Sequence, residues 1–242
     1  MKKHLLFCTF LALLGWCVCP QAWANGTEVN GIYYLFSGTT ATVTYPGASV
    51  PTSASEAYSG GDLVVPSTVS YGGTTFTVTK VGEGAFKYAV LNSLTFSEGL
   101  VTVDGSSFNN AKITTSLTFP STVTTLSGSG DNGANSTIPT IYIGSPERGS
   151  SLTAINGSFM YAAAVTNVYL YGTTPPSSMG AYAFSQNPTF HVLETAALAY
   201  ANVSWLKDGW SRTRKIQADI EAPYTYSDLT TAISTYEETM NW

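Results

Sequence analysis

Past residue 24 the chain holds a single histidine, His191, so a zinc centre or a Ser-His-Asp relay would have to be built on it. No Gly-x-Ser-x-Gly elbow, His-Glu-x-x-His pair or phosphate-binding loop accompanies it. Without such partners His191 reads as an outward strand residue near the C-terminal end. Glu237 and Glu238 pair two carboxylates, but in a tail where they read as solvated charge. Asp131, Asn132 and Asn135 offer oxygen ligands without the regular acidic spacing and closing bidentate glutamate of a calcium loop. They read as a polar loop. The expectation is a protein that is not an enzyme and carries neither metal nor cofactor.

A second set of residues is better spaced. Tyr142, Tyr169 and His191 each hold the middle of an apolar-x-apolar triplet, Ile141-Tyr-Ile143, Val168-Tyr-Leu170 and Phe190-His-Val192. In the earlier triplets Leu63-Val-Val65, Leu94-Thr-Phe96 and Leu117-Thr-Phe119 that place belongs to Val64, Thr95 and Thr118. Strand side chains alternate, so the middle residues point away from the core. Tyr171 lies two residues after Tyr169 and shares its face. Such a ladder does one of two things. It supports neighbouring strands through cross-strand contact, or it offers a flat amphipathic platform to a protein or a sugar, because tyrosine gives area with little loss of entropy. The candidate ligand-binding residues are therefore Tyr142, Tyr169, Tyr171 and His191.

The elements that must hold this ladder recur with a period. From the second triplet onward the spacings are 23, 24, 27 and 22 residues. Pro66, Pro120 and Gly144 follow three triplets as turn formers. A second short apolar segment comes next, as in Leu100-Val-Thr-Val103 or Val123-Thr-Thr-Leu126. Each unit closes on a turn ending in phenylalanine: Val81-Gly-Glu-Gly-Ala-Phe86, Val103-Asp-Gly-Ser-Ser-Phe108, Ile155-Asn-Gly-Ser-Phe159 and Met179-Gly-Ala-Tyr-Ala-Phe184. A period near 22 residues means stacked coils, since one coil cannot bury its apolar side chains alone. The four phenylalanines should line one buried edge. The phenylalanine expected near Asp131 is missing, and residues 127–135 read as a protruding polar loop.

The rest of the chain departs from this unit. Val69 to Val78 reads as a hairpin turning at Gly72-Gly73. Gly31 to Phe36 and Ala41 to Tyr45 read as an N-terminal hairpin covering the first coil's edge. Ala196 to Tyr200, Trp205, Trp210 and Ile216 supply bulk to close the other end. Ser227 is placed to cap a short C-terminal helix bearing Leu229, Ile233, Tyr236 and Met240. The expected division is a signal peptide over 1–24, a hairpin cap over 25–57, a coil stack with its C-terminal cap over 58–216 and a tail over 217–242.

The first 24 residues have a positive start at Lys2 and Lys3, an apolar run Leu5 to Val18 and small residues at Ala22 and Ala24. This is the pattern of an export signal cleaved before Asn25, and the run is short for a membrane span. Cys17 and Cys19 follow Trp16 and Val18 where a lipidation site needs a small residue, so no lipid is expected. All three cysteines leave with the signal, and the mature chain has no disulfide. Eight basic residues then face fifteen acidic ones. An acidic chain without a basic patch is a poor partner for nucleic acid or anionic lipid, and no mature segment could cross a bilayer. The expected location is outside the cytoplasm: periplasm, cell surface or medium.

These landmarks resemble the BspA-like leucine-rich repeat family. Its repeats pair a Leu-x-x-Ile-x-Leu-Pro type strand with an Ile-Gly-x-x-Ala-Phe type turn. Leu117-Thr-Phe-Pro120 and Val81-Gly-Glu-Gly-Ala-Phe86 match most closely. Val29-Asn-Gly-Ile-Tyr-Tyr34 and Pro175 to Phe184 look like pieces common in such proteins. The resemblance spans roughly residues 28–216. It implies a β-rich, right-handed leucine-rich-repeat solenoid of short strands and turns, on a secreted or surface protein of anaerobic bacteria. It also implies binding, as adhesion to a host or cell-surface protein. A glycan-binding module using the exposed tyrosines and a structural component of a surface assembly are the alternatives.

Overall fold

The period-2 alternation of the triplets becomes strand throughout the computed structural model, which describes residues 26–221 apart from 129–135, 158, 161–163 and 185. The chain opens with an antiparallel meander of β1 (Thr27–Val29), β2 (Ile32–Ser37) and β3 (Thr40–Thr44). Next come β4 (Asp62–Val65), β5 (Thr68–Tyr71), β6 (Thr74–Val81), β7 (Val90–Phe96), β8 (Thr102–Val103) and β9 (Lys112–Phe119). The chain continues through β10 (Thr125–Ser127), β11 (Thr140–Ile143), β12 (Ala154–Asn156), β13 (Asn167–Leu170), β14 (Ser178–Met179) and β15 (Thr189–Leu193). One short helix, α1 (Ala197–Ala201), precedes the last strand, β16 (Lys215–Ile220).

From β6 to β15 successive strands alternate between two sheets. One is parallel throughout, in the order β16-β15-β13-β11-β9-β7-β4; the other runs β1-β2-β3-β6-β8-β10-β12-β14, with β5 beside β6. This is the expected β-rich solenoid. The triplets of the parallel sheet stack in register, Leu94 on Leu117, Leu117 on Ile141, Ile141 on Val168 and Val168 on Phe190. All five are fully buried. Each such side chain contributes roughly 1.5–3 kcal/mol by leaving water. Beside them the Phe96 and Phe119 rings stack at 5.5 Å with planes 7° apart.

The phenylalanine turns form the other buried edge. Phe86 and Phe108 stack at 5.9 Å with planes 9° apart. Gly84 supplies the positive φ (+67°) that the first of these turns requires. The third turn corrects the sequence alignment. Its segment is one residue shorter, and Met160, not Phe159, pairs with Phe184. Phe159 therefore meets Phe108 edge-on at 6.1 Å and tilts against Phe119 at 6.0 Å. Phe184 packs on Phe190 instead. All four phenylalanines are buried.

The ends differ as the sequence suggested. β2 and β3 are the expected hairpin, and β3 joins β6 in parallel. It covers the edge of the mixed sheet only, since β4 pairs with β7 alone. β5 and β6 form the hairpin around Gly72-Gly73. At the C-terminal end Tyr200 and Trp205 are buried, while Trp210 stays exposed against Tyr182. The boundary expected at 216 falls inside β16, whose residues Gln217 to Ile220 continue the parallel sheet. The signal peptide, most of the polar loop and the Ser227 helix lie outside the described residues. Among the described residues no helix is long and apolar enough to cross a membrane.

Candidate binding surface

The parallel sheet fixes where the ladder stands. Thr118 pairs with Tyr142, Tyr142 with Tyr169, Tyr169 with His191 and His191 with Gln217. Because each residue sits between two inward apolar neighbours, all of these side chains leave the outer face. The Tyr142 and Tyr169 rings stack at 4.8 Å with planes 21° apart. The Tyr169 and His191 rings stack at 4.3 Å with planes 11° apart. These spacings follow that of the strands themselves, about 4.8 Å, so the rings stand edge-on to solvent with their faces against one another.

Tyr171 follows the end of β13 and is half-buried. Burial first, then the Tyr142 and Tyr169 hydroxyls and Glu147, push its phenol above the ordinary value. Burial, Tyr142 and Asp219 do the same to Tyr169. These shared influences set the Tyr171 phenol near those of Tyr142 and Tyr169.

His191 differs from expectation. It shares the outward column, but its side chain is only 10% exposed. The cause is β16, which adds a further strand and brings Asp219 over the imidazole. His191 Nδ1 lies 3.0 and 2.8 Å from the two Asp219 carboxylate oxygens, and Nε2 lies 2.9 Å from Asn167 Oδ1. Asn167 in turn donates through Nδ2 to Thr166 Oγ1 at 3.0 Å. Both ring nitrogens thus face side-chain oxygens. His191 is an anchor under the ladder's end more than part of an open surface.

Asn167 and Asp219 are the partners that the sequence reading missed. They stand 24 residues before and 28 residues after His191, about one coil away on each side, which was the available signal. A shallow groove of about 480 Å³ runs beside Asn167, lined also by Asn187, Thr189 and Lys215. Among the described residues no group of three or more histidine, cysteine, aspartate or glutamate side chains is placed to hold a metal ion.

Residues 74–191 match the BspA type leucine-rich repeat region, in six copies. Comparison with curated proteins finds no match. Among solved structures, a leucine-rich repeat protein from Bacteroides ovatus ATCC 8483 is similar with a TM-score of 0.47 and 14% identity, over 69% of this chain and 40% of that one. The pneumococcal vaccine antigen PcpA is similar with a TM-score of 0.43 and 17% identity, over 70% of this chain and 44% of that one. The chain thus spans less than half the length of either protein.

Proposed function

We propose that this chain, whose residues 74–191 belong to the BspA-type leucine-rich repeat family, is an exported binding protein that recognises a host or cell-surface ligand. The observation that carries this reading is the stacked pair Tyr142–Tyr169 on the outer face of the parallel sheet, backed by the anchored ring of His191. Rings held rigid before binding lose little entropy in a complex, and such aromatic groups dominate interfaces. The leader pattern of residues 1–24 supports export. Intact-mass measurement of protein secreted by its native host should find Asn25 first, with no lipid. A diacylglyceryl mass on Cys17 or Cys19 would overturn that part.

The binding reading is tested by replacing Tyr142 and Tyr169 together with serine. Adhesion to host matrix proteins or cells should fall over tenfold, because aromatic hot spots contribute about 2 kcal/mol or more each. Should the column only support the sheet, adhesion would persist and stability alone would drop, by a few tenths to about 1 kcal/mol per cross-strand pair. A role as subunit of a surface assembly is the second reading. It is favoured by the outer edges of β4 and β16, the two ends of the parallel sheet, which pair with no further strand among the described residues.

A further inference from the structure

Tyr142 begins the aromatic column, and its two faces are unequal. Tyr169 covers one at 4.8 Å. The neighbour on the other side is Thr118, followed by Thr95 on the next strand. Both are too small to cover a phenol ring. The outer face of the sheet therefore forms a ledge, with the free face of Tyr142 as its wall and the strands of Thr118 and Thr95 as its floor.

The floor has a definite chemistry. Ser93 pairs with Ser116, and Ser116 with Thr140, in the row beside Thr95 and Thr118. The hydroxyls of Thr95, Ser116, Thr118 and Thr140 make no hydrogen bond to any described residue, and all four side chains are half-exposed. Each hydroxyl can both donate and accept. Between β7 and β11 these two rows hold no aspartate, glutamate, lysine, arginine or histidine. Asp62 stands at the β4 end of the floor, where it accepts from Ser93 Oγ at 2.7 Å, and His191 and Lys215 stand at the other end, beyond Tyr142.

We propose that this ledge is a binding site for a neutral glycan. One sugar ring lays its C–H face on the free face of Tyr142, and its hydroxyls exchange hydrogen bonds with Thr118, Thr95 and Ser116. The occupant needs an apolar ring face at one side and many two-way hydroxyls below, and a pyranose has both. It needs no charge, which disfavours sulfated or sialylated chains. Because the column's inner ring faces cover each other, only one sugar ring can stack, while the rest of the chain extends across the floor. The floor reaches roughly 14 Å from Tyr142 to Val64, three strand spacings away. This proposal rests on the reading of the outer face as the binding surface.

The test uses the mature protein and a panel of neutral gluco-, manno-, galacto- and N-acetylhexosamine oligomers beside sulfated and sialylated ones, titrated by calorimetry. At least one neutral oligomer should bind, with an affinity unaffected by salt. Tyr142→Ala removes the wall, and Thr95→Val with Thr118→Val replaces two floor hydroxyls by methyl groups of the same size. Each change should weaken binding at least tenfold, whereas Leu198→Ala, on the exposed side of α1 and outside the ledge, should stay close to the parent. Thr118 is outward and half-exposed, and circular dichroism would check that the variants fold.

Failure to bind any neutral oligomer at millimolar concentration overturns the proposal. So does binding that survives the Thr95/Thr118 double variant, or binding confined to acidic chains. If the Tyr142/Tyr169 double variant loses adhesion to a protein surface while no sugar binds, the ledge proposal falls and the binding-surface reading stands. If adhesion is also unchanged, both fall.

Discussion

Tyr58 joins the N-terminal meander to the first coil through one atom. Its hydroxyl accepts from Tyr33 N at 2.9 Å and donates to the Thr44 carbonyl at 2.6 Å. Tyr58→Phe keeps the ring and strands both backbone groups, so it should cost about 1–3 kcal/mol in urea melts; a neutral result would mean that water replaces both bonds. Phe108 tests the core directly. It stacks on Phe86 and meets Phe119 and Phe159 edge-on, so Phe108→Ala should destabilise by about 3–5 kcal/mol. A loss under roughly 1 kcal/mol would contradict its packing. Arg214 gave no signal in the sequence. It is buried, and burial lowers its pKa although Asp208 opposes this. It donates to the Trp205, Gly180 and Ala181 carbonyls at 3.1, 3.0 and 3.3 Å. An arginine in the basic stretch Arg212-Thr-Arg-Lys215 looks like surface until the closing loop folds over it.

At the scale of elements, the triplets were legible because two periods agree on them. Alternation marks them as strands, and their recurrence every 22 to 27 residues fixes which strands stack. β16 was not legible for the opposite reason. Lys215-Ile-Gln-Ala218 has one large inward residue, Ile216, and its next inward place is Ala218, exposed at the stack's end. The hydrophobic pattern fades at the last strand among the described residues. The shortened third turn failed differently, since aligning on phenylalanine overlooked that Met160 fills the same volume. What holds so weak a strand is its pairing with β15 and the His191–Asp219 contact. Removing the imidazole with His191→Ala should release about 1 kcal/mol of that hold, roughly a fivefold faster opening. Hydrogen exchange should quicken in β16 and leave β9 and β11 unchanged. Uniform acceleration along the stack, or none anywhere, would show that His191 does not anchor the strand.

For the whole molecule, the two ends share a device. The coils between them protect one another by stacking, so an end needs its own closure. Tyr34 and Tyr58 close the N-terminal end and Tyr200 the C-terminal end, all of them buried. Burial raises the Tyr34 phenol to about 12. It raises Tyr58 and Tyr200 further. Each of these groups keeps its proton in the folded state at a pH where the unfolded chain, with phenols near 10, has given it up. Their stabilisation is therefore fully present below pH 10 and is lost as pH rises through the folded values. The melting temperature should stay level from neutrality to about pH 10 and then fall steeply. Of the chain's fifteen tyrosines, an exposed fraction should give its tyrosinate absorbance reversibly near pH 10. The end phenols should ionise only at higher pH, together with loss of the β-sheet circular dichroism signal. Tyr200→Phe removes one such group, and its alkaline transition should shift upward relative to its own stability at neutral pH. Simple titration of all fifteen near pH 10 with an unchanged circular dichroism spectrum would show that the ends are open to water, and that the coil stack stands without them.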